Sequence, residues 1–212
     1  ILFNTADRIV VGQFCEPAAF SAVTSTGSLI NLLVNLFTGL SIGTNIVAAN
    51  YYGARRKKEI QDTVHTSILL SIYSGIILTV VGIILAKPIL IAMGAQDEFL
   101  DLAVIYLRIY FGGIIATMIY NFGSAVLRAK GDTKRPLYIL TIAGVSQVFA
   151  CIAVLIILKR EKDDFHLDLK KLKINTHIFH KIIKVGLPAG FQGIMFSFSN
   201  VIIQSSVNSF GE

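Results

Sequence analysis

Long uninterrupted apolar runs are the feature that most limits what this chain can become. Residues 20–52, 64–93, 100–127, 137–158 and 178–207 are each dominated by aliphatic, aromatic and small side chains, with polar segments confined to the gaps between them. A helical residue rises about 1.5 Å, so a bilayer core of about 30 Å takes about 20 such residues per crossing. In that core every backbone polar group must be satisfied within the segment, and helices do this. Charged residues make up 15% of the chain, against about 25% in soluble domains, and the mean hydropathy is +0.69. The predicted class is an all-α polytopic membrane protein, a transmembrane helix bundle. Residues 1–14 read as the later part of one more helix whose beginning is absent.

Charge placement orients the bundle. The net charge is +6, but the basic residues gather at the ends of apolar runs, which fits lipid headgroups of the bilayer and not nucleic acid. The loops Arg55-Arg56-Lys57-Lys58 and Arg128 to Arg135 are basic and lie two spans apart, so both are predicted cytoplasmic; the acidic Gln96-Asp97-Glu98 between them is then outside. Parity fails at the next step. One span over 137–158 would deliver the Lys-rich segment from Lys159 onward to the outer side. Either a helix is missing or 137–158 does not span, and a missing helix is the expectation. The predicted organisation is a bundle over 1–158 with five apparent helices, the first truncated, a basic cytoplasmic linker over 159–177, and a first helix of a second bundle over 178–212.

Polar residues inside apolar runs are the functional candidates. A carboxylate in hydrocarbon costs about 2.5–3.5 kcal/mol on insertion scales, so Asp7 is a candidate for exchanging a proton or holding Na⁺; an interfacial pair with Arg8 is the plainer alternative. Asn31 and Asn35 lie one turn apart, with Asn45 further along the same run. Gln192, Asn200 and Gln204 recur at spacings of eight and four and share a face of the last helix. These amides are read as lining a hydrated path, or as interhelical bonds worth about 0.6 kcal/mol each. Gly27, Gly39 and Gly43 allow close helix approach. Arg108 is read as snorkelling outward beside Tyr106 and Tyr110. His177 and His180 have metal-pair spacing but sit at the start of a helix in a Lys-rich segment, which reads as an interfacial amphipathic helix. Cys15 and Cys151 form no disulfide framework. Nothing resembles a Gly-rich phosphate loop or a hydrolase triad, so the chain is read as no enzyme and as needing no cofactor.

A weak internal repeat joins the two ends: Phe3 to Val10 aligns with Phe196 to Ile203, placing Asn200 opposite Asp7. Transporter folds are commonly built from such repeats. Four motifs in order then carry a family resemblance: Asn4-Thr5-Ala6-Asp7 running into Ile9-Val10-Val11-Gly12; Tyr52-Gly53-Ala54-Arg55; Leu127-Arg128-Ala129 followed by Gly131-Asp132-Thr133-Lys134-Arg135-Pro136-Leu137; and Val185-Gly186-Leu187-Pro188-Ala189-Gly190. In these the chain resembles the bacterial multidrug and toxic compound extrusion (MATE) transporters over nearly its whole length. The resemblance implies two six-helix bundles, of which this chain is most of the first plus the opening helix of the second, the remaining bundle being missing. It implies a multi-pass protein of the bacterial inner membrane that exports small organic cations in exchange for Na⁺ or H⁺, with Asp7 coupling the cation and Asn4 among the residues lining the path. It also implies an Asn and a carboxylate on the fifth helix. Residues 137–158 contain neither, so an internal shortening near Gly144-Val145-Ser146-Gln147 is expected. A lipid-linked precursor flippase of the same superfamily and a non-transporting remnant are the alternative readings.

Overall fold

The computed structural model describes residues 17–93, 97–142 and 147–209, and every described element is helical. In chain order these are α1 (Pro17–Gly53), α2 (Lys57–Ala92), α3 (Asp97–Gly112), α4 (Ile114–Ala129), α5 (Lys134–Ile142), α6 (Gln147–Arg160), a 3₁₀ turn at Leu169–Lys171, and α7 (Thr176–Ser209). By length and composition Leu29–Gly53, Lys57–Ala92 and Thr176–Ile203 are each able to cross a bilayer, and Leu100–Gly112 with Ile114–Ala129 adds a crossing bent by 45°. The bend falls at Gly112-Gly113, where the Gly113 N–H closes onto the Tyr110 carbonyl at 3.1 Å; paired glycines are a recurrent cause of helix kinks.

The described parts of this run, residues 137–142 and 147–158, belong to two separate helices where the apolar run predicts one. α5 has 9 residues and α6 has 14, about 14 and 21 Å of rise, both short of a bilayer core. They leave and return to the same end of the bundle. Arg135 at the start of α5 and Lys130 at the end of α4 both meet Glu161, just past the end of α6. The Tyr120 hydroxyl donates to the Pro136 carbonyl at 2.9 Å, and α6 lies along α4 with Val154 against Gly123. The 159–177 segment therefore emerges beside the loops at Arg55 and Arg128, and all three basic segments share one face.

Two apolar clusters stack along the bundle. The one at the basic end holds Tyr51, Ile60, Val64, Phe122, Leu127, Val154, Leu158, Phe165, Leu167 and Ile182. The other holds Leu29, Leu78, Leu90, Leu107, Phe111, Ile114 and Met118. The outer surface of the spans is strongly apolar, with Ile84, Ile109 and Phe149 each about two-thirds exposed or more. Lipid covers such side chains in a membrane protein, so their exposure follows from the medium.

Candidate functional site

The structure separates the predicted path residues into three groups. Asn4 and Asp7 lie outside the described residues, as does Arg8. Asn35 and Asn45 are half-buried and act between helices: the Asn35 amide donates to the Ser197 hydroxyl on α7 at 2.7 Å and lies 3.5 Å from the Gly193 carbonyl, while the Asn45 amide donates to the Ala125 carbonyl on α4 at 2.9 Å. Asn31 on α1 and Gln192 and Asn200 on α7 are exposed, and Gln204 belongs to α7 by its backbone. Asn31 and Asn35, one turn apart, thus differ in environment. Arg108 is exposed. His180 bonds the Thr176 carbonyl at 2.8 Å, in the first turn of α7.

α1 and α7 form the closest helix pair among the described residues. They run antiparallel, and four glycines let their backbones touch. A Cβ at Gly39 would lie 2.1 Å from the Gly190 nitrogen; one at Gly43 would lie 2.5 Å from the Ile182 carbonyl; one at Gly186 would lie 2.7 Å from Leu40 Cα. The register holds from end to end. At the basic end the Lys181 ammonium donates to the Tyr51 hydroxyl at 2.7 Å and lies 4.7 Å from that ring, with Arg56 over the same ring at 5.4 Å. Beyond the glycines, Asn35 meets Ser197. From Asn35 to Tyr51 this seam runs about 24 Å along α1. Lipid tails give no hydrophobic reason for two helices to meet, so close packing and interhelical hydrogen bonds hold the pair.

Sequence reasoning missed this pairing, although the signal was present: Gly39 and Gly43 are four apart, and so are Gly186 and Gly190, the small-xxx-small spacing that marks close helix contacts. It also missed a charged cluster at the basic end. Glu161, only 8% exposed at its side chain, accepts from both Lys130 and Arg135; Lys130 also meets Asp163 at 2.7 Å and Arg135 meets Asp132 at 2.8 Å. Lys130, Asp132 and Arg135 belong to the motif stretch that follows Leu127.

Burial pushes the Glu161 carboxyl up, but hydrogen bonds and charge from Lys130 and Arg135 outweigh it and hold the group below the usual carboxylate range; Lys130 holds Asp163 low as well. A group with a depressed folded value stabilises the fold above its unfolded value, and loses that contribution as pH falls through the folded one. The stabilisation is therefore complete at neutral pH and is lost only as pH falls below the usual carboxylate range. The melting temperature of Glu161→Gln should lie below that of the parent protein at pH 7 and converge with it at strongly acidic pH; a constant difference would contradict the assignment.

A polytopic helix bundle with a glycine-lined seam and its basic loops on one face is the build of an integral membrane protein. The profile of the MatE family matches residues 1–152, and the chain belongs to that family, as a multi-pass protein of the bacterial inner membrane. It is 24% identical to the probable multidrug resistance protein YoeA of Bacillus subtilis, over 96% of this chain and 51% of that one. It is 23% identical to a protein of Shewanella oneidensis named as an FAD transporter, over 68% of this chain and 31% of the other. In three dimensions it is similar to the inward-facing conformation of a multidrug resistance MATE family transporter of the MOP superfamily, with a TM-score of 0.82 and 23% identity over 99% of this chain and 56% of that one. The chain spans about half the length of the curated relatives it matches. The alignment with YoeA runs over 236 positions yet takes in 96% of 212 residues, so about 30 positions of the relative have no counterpart here.

Proposed function

We propose that this chain is the first bundle, with the opening helix of the second, of a secondary antiporter that exports cationic amphipathic drugs in exchange for Na⁺ or H⁺. The observation that carries the reading is the family match over residues 1–152, joined by a relative named for multidrug resistance. Coupling requires only that ion and drug favour different states of one protein. Asp7 is the proposed ion-binding group, with Asn4, three residues before it in the sequence, among the residues lining the path. Cation binding there would favour one arrangement of the first helix, and drug binding the other. Asn31, Gln192, Asn200 and Gln204 are the amides proposed to offer hydrogen bonds along the path between the bundles. The exposure of Asn31, Gln192 and Asn200 leaves their hydrogen-bonding groups free for that task.

A second reading is a transporter of the same family with another cargo. The relative named as an FAD transporter favours it, and a lipid-linked precursor flippase falls within it. A third, the non-transporting remnant, draws on the roughly 30 unmatched positions and on the absence of an Asn or acid from residues 137–158, which leave the expected ion site short of partners.

Reconstitution separates the three. The complete protein in proteoliposomes, with an imposed Na⁺ or proton gradient, should move a fluorescent organic cation and leave FAD and a fluorescent lipid-linked oligosaccharide in place. Movement of either of those instead would establish the second reading. No gradient-dependent movement of any probe, from protein that remains folded and monodisperse, would establish the third.

A further inference from the structure

The segment between α6 and α7 is polar and Lys-rich, the composition of a free cytoplasmic linker, yet it is fastened along its length. At its start Glu161 sits between Lys130 and Arg135. Phe165 and Leu167 are fully buried in the apolar cluster at the basic end, and the Phe165 ring meets the edge of Tyr52 at 5.3 Å. The Leu167 N–H donates to the Leu158 carbonyl at 2.9 Å, and the Asp168 N–H donates to Nε2 of the buried His65 on α2 at 3.2 Å. At its far end the Asn175 N–H donates to the Thr66 hydroxyl at 3.0 Å, and its side-chain amide donates to the Asp62 carboxylate at 2.7 Å. The Asn175 side-chain oxygen meanwhile accepts from the His177 N–H at 3.1 Å and caps α7.

The two fastenings differ in kind. Along α2 the segment is held by neutral or singly charged hydrogen bonds, which many polar linkers make. At its start a single buried carboxylate satisfies two cations that both come from the α4–α5 turn. Although Lys159, Arg160 and Lys162 flank it in sequence, Glu161 is bound by Lys130 and Arg135, both at least 26 residues away. The burial of Phe165 and Leu167 then follows directly, since closing the chain onto the α4–α5 turn brings them over Tyr52 and Leu158.

We propose that residues 161–175 form a latch, closed by Glu161 on the Lys130–Arg135 pair, that clamps the cytoplasmic end of α7 to the first bundle. α7 is the helix that opens the second bundle in the reading above, but its first turns are capped by the latch and tied to α1 through Lys181 and Tyr51. With the latch closed, the cytoplasmic end of α7 travels with the first bundle, and motion between bundles must arise beyond it. Glu161 acts here as a positioning residue. The docking itself does not depend on what the protein transports, so its test is independent of the transport reading.

The test is hydrogen–deuterium exchange on the complete protein in detergent, comparing the parent with Glu161→Ala and, separately, with Arg135→Ala on the half-exposed side of the clasp. Each variant should raise exchange of the Leu167 and Asp168 amides about tenfold or more, the scale set by losing hydrogen bonds to a charged group. Amides in the middle of α2 should stay as protected as in the parent. Unchanged exchange at Leu167 and Asp168 in both variants would overturn the latch. So would a rise shared equally by α2, which would make Glu161 part of the general stability of the bundle.

Discussion

Gly39→Leu is expected to separate α1 from α7 and leave the protein without a stable folded form. The Cβ that leucine brings would stand 2.1 Å from the Gly190 nitrogen, 2.3 Å from its Cα and 2.8 Å from the Gly186 carbonyl. All three are backbone atoms of a continuous helix, so no side chain can turn away to make room. The helices must move apart, and the whole seam moves with them: the Asn35–Ser197 bond on one side and the Lys181–Tyr51 contact on the other span too short a distance to stretch. Overpacking a tight contact costs about 1–3 kcal/mol where neighbours can relax; here the interhelical bonds are lost in addition. Gly53→Leu is the matched control, because a Cβ there meets nothing within 4 Å. Thermal denaturation in detergent, followed by gel filtration, should show aggregated or absent Gly39→Leu protein beside a Gly53→Leu protein close to the parent. Equal melting of the two variants would mean that α1 and α7 do not pair in this way.

Asp7→Asn carries the second large effect. Asparagine keeps the size and much of the hydrogen bonding of the side chain but cannot carry a negative charge or exchange a proton in this range. If Asp7 is where the coupling ion binds, the variant retains its fold and its affinity for drug but loses the differential cation binding that drives the cycle. Coupling between two sites is typically worth about 1–3 kcal/mol, so gradient-driven efflux should fall by about tenfold or more. Drug binding measured without a gradient should change far less. Full efflux by Asp7→Asn would remove Asp7 from the mechanism; equal loss of binding and efflux would make it a residue of the drug site or of the fold.

The parts legible in the sequence are those the bilayer dictates. A run of apolar residues long enough to cross has few alternatives to a helix, so α1, α2 and α7 fall close to the runs over 20–52, 64–93 and 178–207. The breaks were harder. Gly112-Gly113 sits inside an apolar run and reads equally as close packing, and only the fold shows that it bends the span. The run over 137–158 reads as one apolar crossing, yet its described parts, 137–142 and 147–158, belong to α5 and α6, because length and hydropathy do not record which ends of a run meet. Glu161 meets Lys130 and Arg135, so the segment after α6 lies on the side of the α4–α5 turn, where its basic residues fit the charge rule.

The candidate site was legible only in residue type. That Asn35 and Asn45 work between helices follows from which helices become neighbours, and helical periodicity within one run cannot supply that. The two glycine pairs offered a cue, since 39 and 43 match 186 and 190 in spacing. Phe165 and Leu167 offered another, two apolar residues set alternately in a polar segment beside Glu161 and Asp163. A linker free in water has no use for a buried phenylalanine.

The most direct measurement is dye accumulation by everted membrane vesicles that contain the complete protein, recorded before and after the cation gradient is discharged with a Na⁺ or proton ionophore. The account predicts uptake of a fluorescent organic cation that collapses with one of the two ionophores and does not require ATP once the gradient is imposed. Uptake that survives loss of both gradients and follows ATP alone, or no uptake beyond that of vesicles lacking the protein, would contradict it.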